Sequence, residues 1–247
     1  MKLSIVIPMY NESAVIAQTI AALRALCDKL PYACEIVFSD DGSTDGCTNT
    51  VAAAAQADSR ILLVRDELNK GKGAAVRSGM LTAAGDIAVF TDCDLAYGTE
   101  QIAGIVAHHL KAGRAVTLGS RSLHKNGYSG YSIPRQAMSR LYRAVLRFSA
   151  GFSYSDSQTG LKCFSAEAAH RIFSCCCTDG FAFDLEALMI AEKLGYTVSE
   201  FPVEVLPDAS QRASRVRPVR DAYLMLQDIK KIKRRLQTLE CPTDQRI

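Results

Sequence analysis

No uninterrupted apolar stretch in this 247-residue sequence approaches the roughly 20 residues that a helix needs to cross a bilayer. That excludes a spanning helix within it and leaves only peripheral membrane contact. Charge of one sign is also scarce. The 29 Lys and Arg against 26 Asp and Glu leave a net +3, too little to predict nucleic-acid binding. The cysteines lack a framework: nine of them, an odd number at irregular spacings, argue against a secreted disulfide scaffold. The first apolar run, "MKLSIVIPMY", is broken by Pro8 too early for the core of a signal peptide. A reducing cytoplasm with free thiols is therefore expected. The triplet Cys175, Cys176 and Cys177 has neither C-x-x-C spacing nor a second ligand pair, so it reads as small buried apolar residues and not as a zinc site. The stretch "NKGKGAAVRSG" (69–79) resembles a phosphate loop but lacks the G-x-x-x-x-G-K-[ST] order, and reads as a loop with a helix start.

What is present is an ordinary globular balance, 48% apolar and 22% charged, over a length that suits one α/β domain. Over the first 120 residues, short β-branched runs alternate with helical periodicity, the mark of parallel β-α-β units. The strands are expected at 3–8, 34–39, 61–64, 87–91 and 115–119. Together they predict a Rossmann-like, mostly parallel sheet flanked by helices. In such sheets ligands gather at the carboxyl ends of the strands. Polar clusters follow there: "YNE" after the first strand, "DDGSTD" after the second, "TDCD" after the fourth and "GSR" after the fifth.

Beyond residue 120 the character changes. "SIPRQAMSRLYRAVLRFSAG" predicts a helix entered through Ser132 and Pro134, with Arg140, Arg143 and Arg147 on one face. A last strand is expected at "FPVEV" (201–205), followed by a basic amphipathic helix. Met225, Leu226, Ile229, Ile232 and Leu236 recur there against Lys230, Lys231, Lys233, Arg234 and Arg235. Its pattern fits equally a domain-edge helix with a solvated basic face and a helix lying on a membrane surface. The expected organisation is one domain over 1–240, with a nucleotide-sugar half (1–120), an acceptor half (121–220), the C-terminal helix (221–240) and a short tail (241–247).

In an extended segment, residues i and i+2 point the same way, so Asp92 and Asp94 would present two hard carboxylates to one Mg²⁺ or Mn²⁺, with Cys93 turned away between them. The competing reading is a cap for the helix that follows. Asp40 and Asp41 sit where a nucleobase or ribose could donate hydrogen bonds to them, or where an Asx turn would use them instead.

Taken in order, "VIPMYNE" (6–12), "DDGSTDG" (40–46), "NKGKGAAVRSGM" (69–80), "TDCDLA" (91–96), "GSR" (119–121), "DSQTGLKCF" (156–164) and "FAFDLEAL" (181–188) resemble the family 2 glycosyltransferases, in particular their polyprenyl-phosphate branch. The resemblance implies the GT-A fold, a nucleotide-sugar donor, a divalent cation and inverting transfer to a lipid phosphate. It implies that Pro8, Tyr10, Glu12 and Asp40, with Asp41 and Cys93 beside them, line the nucleotide-sugar site, and that Asp92 and Asp94 hold the metal and diphosphate. Arg121, Arg135 and Ser139 would grip the acceptor phosphate, and Arg215, in a lid at 207–218, would reach the donor diphosphate. Ala96, where mannosyl members carry Gln, points to UDP-glucose over GDP-mannose. A phosphate acceptor is largely ionised at neutral pH and needs no protein base; a hydroxyl acceptor would need one, with Asp184 or Glu186 as the candidate. A glycosyltransferase with a soluble acceptor, a nucleotidyltransferase and a silent membrane-surface adaptor remain the alternatives. The oligomeric state is not encoded in any motif, and action at the cytoplasmic face of a membrane is expected.

Overall fold

The computed structural model describes residues 1–128, 154–206 and 218–238, together with 143, 144, 148 and 151. Arg135, Ser139, Arg215, most of the arginine-rich helix expected from Ser132 and nearly all of the expected lid lie outside these residues. The strands are β1 (Lys2–Met9), β2 (Ala33–Asp41), β3 (Ile61–Asp66), β4 (Ile87–Thr91), β5 (Val116–Ser120), β6 (Leu161–Ser165) and β7 (Val198–Pro202). The helices are α1 (Ile16–Lys29), α2 (Cys47–Ala57), α3 (Lys72–Thr82), α4 (Gly98–Ala112), α5 (Ala166–Cys175), α6 (Phe183–Lys193) and α7 (Pro218–Thr238).

The strands form one seven-stranded sheet in the order β3-β2-β1-β4-β6-β5-β7. All neighbours are parallel except β6, which runs antiparallel between β4 and β5. The five expected strands are present. β2 runs further than expected, through Asp40 and Asp41, so these two residues belong to the strand and not to the turn. The last strand lies three residues earlier than "FPVEV". The sequence pattern did not reveal β6, because Lys162 interrupts its apolar run "LKCFS".

Alternation along the strands feeds two cores. Leu3, Ile5, Ile7, Ile36 and Phe38 face α1, α2 and α4, while Val6, Val37, Phe90 and Phe164 face α3, α5, α6 and α7. Each large side chain buried here contributes about 1.5–3 kcal/mol relative to exposure. Met225, Ile229, Ile232 and Leu236 of α7 are buried in this second core. The apolar stripe of the C-terminal helix is thus spent inside the fold, as the domain-edge reading expects, and a membrane surface could meet this helix only through its basic face, where Lys230, Lys231, Lys233 and Arg234 are exposed. Cys175 and Cys176 are buried as expected, but Cys177 is exposed.

Candidate functional site

Two loops at the carboxyl edge of the sheet are clasped together. Asn11, left-handed at φ 54°, a conformation Asn tolerates, donates its backbone N–H to Ser43 Oγ at 2.9 Å and accepts the Thr44 N–H on its side chain at 2.9 Å. Ser13 N–H donates to Asp45 at 2.8 Å. Burial works against the Asp45 charge, but the side chain of Cys47, followed by the N–H groups of Ser13 and Cys47, prevails and holds its carboxyl well below the usual range. This fixes "YNE", with Pro8 buried, Glu12 half-buried and Tyr10 37% exposed, beside the second loop.

The two aspartates of that loop anchor backbone. Asp40 is buried and accepts from the Ser43 N–H at 3.0 Å and from the Thr48 hydroxyl at 2.5 Å. Asp41, also buried, accepts the Lys70 and Gly71 N–H groups, each at 2.8 Å. Asp41 therefore ties β2 to the start of α3, where Lys72 is the first residue. Gly73 lets α3 approach the loop before α6: a Cβ there would lie 2.3 Å from the Thr178 carbonyl oxygen.

The chain leaves β4 at Thr91 and turns at once, with the Leu95 N–H donating to the Asp92 carbonyl at 3.0 Å. Strand pleating is thus not what aims Asp92 and Asp94. A tight turn does so, with Leu95 at φ 48°, a left-handed conformation that costs a β-carbon-bearing residue about 1–2 kcal/mol. Asp94 accepts the Ala96 N–H at 3.1 Å. Cys93 is buried, and its carbonyl accepts the Thr19 hydroxyl at 2.6 Å. Burial pushes its thiol far above the ordinary value, so it is inert.

Asp92 is the centre of the arrangement. Its Oδ1 receives the Lys72 ammonium at 2.5 Å, and a Cβ on Gly160 would fall 2.0 Å from its Oδ2. Gly160 is in effect the wall on which this carboxylate rests. Burial opposes the Lys72 charge, but Asp92, Asp184 and Asp94 outweigh it and hold the ammonium above its ordinary value. Behind it, Lys162 is sealed under the Phe90 ring at 5.3 Å and donates to Asp184 Oδ1 and the Thr159 carbonyl, each at 2.6 Å. Burial lowers Lys162 and raises Asp184. Lys162, Asp184, Lys72 and Asp92 thus alternate in sign from the core outward. Glu186, also buried, accepts the Cys177 and Thr178 N–H groups at 2.9 and 2.7 Å and pairs with Arg235 of α7.

On the other side of β4, Arg121 forms a two-pronged pair with buried Asp156, at 2.7 and 3.0 Å. Burial works against the Asp156 charge, but Arg121, Arg143 and Lys162 keep it below its ordinary value. Arg143 donates to the Ser122 and Tyr128 hydroxyls, and both guanidiniums lie over the Tyr128 ring, at 5.7 and 4.8 Å.

Sequence reasoning singled out Asp92 and Asp94, which the structure places on one tight turn, but it did not single out Lys72, Gly160, Lys162 or the Arg143–Tyr128 pair. The K-G-K-G run was the one signal for Lys72. The donor set of Asp92 and Asp94 suits Mg²⁺ or Mn²⁺, which take one or two carboxylates and fill their other positions with water and phosphate. That Asp92 already attracts a cationic group, Lys72, fits this. Among the described residues no cluster of three or more His, Cys, Asp or Glu is arranged around a metal position, so the remaining oxygens would come from substrate and water.

Comparison with known proteins bears on the family and the fold. A dolichyl-phosphate beta-glucosyltransferase of Trichomonas vaginalis is 29% identical over 212 residues, covering 82% of this chain and 65% of its own length. One from Dictyostelium discoideum is 28% identical over 243 residues, covering 94% of this chain and 73% of its own. The chain thus spans about two thirds of the length of these curated relatives. Glucosyl-3-phosphoglycerate synthase from Mycobacterium tuberculosis, crystallised with Mn²⁺, UDP and phosphoglyceric acid, superposes with a TM-score of 0.67 at 21% identity, over 98% of this chain and 80% of that one. The fold is GT-A, as the sequence resemblance implied. The model of glycosyl transferase family 2 matches residues 4–173, and the chain belongs to that family.

Proposed function

We propose that this protein transfers a hexose from a nucleoside diphosphate sugar, UDP-glucose ahead of GDP-mannose, to a polyprenyl phosphate at the cytoplasmic face of a membrane. The observation that carries the choice of acceptor is the commitment of both candidate bases. A base must take up a proton, and protonating Asp184 would strand Lys162 without its counter-charge in the core, at a cost of several kcal/mol. Glu186 is sealed and held by two N–H groups and Arg235. A phosphate oxygen arrives already ionised and needs neither. The cationic cluster of Arg121 and Arg143 beside Ser122 and Tyr128 is chemically suited to hold it, with Arg135 and Ser139 as further acceptor contacts by resemblance.

In this reading residues 1–120 supply the donor site. Pro8, Tyr10 and Glu12 flank the nucleoside, Asp40 and Asp41 hold the walls of its pocket, and Asp92 and Asp94 would hold Mg²⁺ or Mn²⁺. The cation supplies charge compensation to the leaving diphosphate. Arg121 orients the attacking phosphate against the anomeric carbon, so that one displacement inverts it, and Arg215 would reach the departing diphosphate. The relatives named as dolichyl-phosphate glucosyltransferases support glucose as the hexose and a polyprenyl phosphate as the acceptor class. The test is incubation with Mg²⁺ or Mn²⁺, a panel of nucleotide sugars, and polyprenyl phosphate or soluble saccharides. Lipid-linked hexose is expected; product on hydroxyl acceptors alone would overturn the reading.

A further inference from the structure

Four charged side chains alternate from the core to the site: Lys162, Asp184, Lys72 and Asp92. Lys162 is fully committed, with Asp184 and the Thr159 carbonyl as partners. Lys72 differs. Its side chain is 28% exposed, and its ammonium rests at 2.5 Å on the carboxylate that a divalent cation would need. It stands on the first residue of α3, flanked by Gly71 and Gly73, with the Asp41 carboxylate clamping the two preceding N–H groups. The backbone beneath it is therefore fixed, while a four-carbon stem leaves the ammonium able to swing.

We propose that Lys72 is a resident cation that occupies the metal position on Asp92 when the donor is absent and is handed over to the donor diphosphate when metal and nucleotide bind. This rests on the donor site proposed above. The ammonium holds Oδ1 of Asp92 while Oδ2 lies against Gly160, so an incoming divalent ion competes for Oδ1, and two cations on one carboxylate oxygen repel each other. Asp184 and Asp94, both close enough to act on Lys72, keep the displaced ammonium at the site. There the nearest new negative charge is the diphosphate, to which a lysine presents a compact point charge. The exchange has two consequences. Metal alone binds weakly, because it must expel Lys72. Metal with nucleotide binds well, because Lys72 gains a second partner. Asp92 is also never left without a counter-charge, which restrains the strained turn around Leu95 between turnovers.

The experiment measures binding to the full chain. Mn²⁺ is titrated without nucleotide, followed by paramagnetic resonance, and UDP is titrated calorimetrically in saturating Mn²⁺. Lys72→Met is expected to bind Mn²⁺ alone about tenfold more tightly than the parent, a gain of about 1.4 kcal/mol, and to bind UDP about tenfold more weakly. Lys72→Arg, which keeps the charge, is expected to retain the weak Mn²⁺ affinity. Unchanged or weaker Mn²⁺ binding by Lys72→Met overturns the proposal, as does unchanged UDP affinity. A crystal structure of the parent chain with Mn²⁺ and UDP provides a test without substitution: Lys72 still paired to Asp92 would overturn it. Asp92→Asn separates the two levels of argument, since Mn²⁺ binding that survives this change refutes the donor site itself, whereas its loss with no effect of Lys72→Met refutes only the exchange.

Discussion

At the scale of single residues, the site depends on how closely atoms pack around Asp92. Gly160 shows this most directly. A methyl group there would overlap Oδ2 of Asp92, so Gly160→Ala must push the carboxylate aside. The core strand β6 begins only at the next residue, and the disturbance is local. Displacement by about 1 Å at a reacting centre costs about 100-fold in rate. Gly160→Ala is expected to lose turnover on that scale while melting close to the parent, as steady-state assays and thermal unfolding would show. Cys93 and Asp94 make the complementary case. The thiol is buried and inert, so Cys93→Ala keeps hexose transfer within a few-fold, whereas Asp94→Ala abolishes it; equal losses in the two variants would refute the division of roles. The spacing of Asp92 and Asp94 was legible in the sequence because both residues sit in one short segment. Lys72 was not, because its partner is 20 positions away and nothing local distinguishes it from a solvated lysine. Gly160 was not either, since its need for a missing side chain appears only when Asp92 is laid against it.

At the scale of elements, strands announced themselves wherever β-branched residues ran unbroken, as in β1 and β4. β6 stayed hidden because its Lys162 is a buried charge, which periodicity counts as polar and places outside. Helix α4 illustrates a different consequence of packing. His109 is buried and shares Nδ1 with the Thr117 hydroxyl of β5 at 2.9 Å, which in turn meets Ser199 of β7 at 2.9 Å. Burial, with His108 adding repulsion, lowers its pKa from 6.5 to about 4. The unfolded chain therefore binds a proton at His109 between these values and the folded chain does not. The contribution to stability is whole above pH 6.5, falls as pH drops towards 4, and changes no further below that, for a total of about 3 kcal/mol. His109→Gln is expected to remove this segment of pH dependence. The difference between the parent and variant urea-unfolding curves, measured from pH 7.5 to 4, isolates it from carboxylates that titrate in both. A difference that does not vary with pH would show that His109 titrates alike in the folded and unfolded chain.

At the scale of the whole molecule, the question is how a chain with no described helix long and apolar enough to cross a membrane would meet a lipid-borne phosphate. Amphipathic periodicity in α7 suggested insertion of an apolar stripe, but Met225, Ile229, Ile232 and Leu236 are buried against the core, and Arg235 is drawn inward to Glu186 and the Cys175 carbonyl. What remains for a surface is charge: Lys230, Lys231, Lys233 and Arg234, all exposed. Basic residues near an anionic bilayer contribute about 1 kcal/mol each, and that attraction decays within a Debye length. Binding through α7 should therefore be purely electrostatic. The full chain is expected to sediment with vesicles containing phosphatidylserine in 0.05 M salt, to be released by about 0.5 M salt, and to ignore neutral vesicles. Replacing the four basic residues with Gln should abolish sedimentation at low salt and leave the melting temperature near that of the parent, because none of the four packs in the core. Retention at high salt would require apolar insertion, which α7 can provide only by leaving the core.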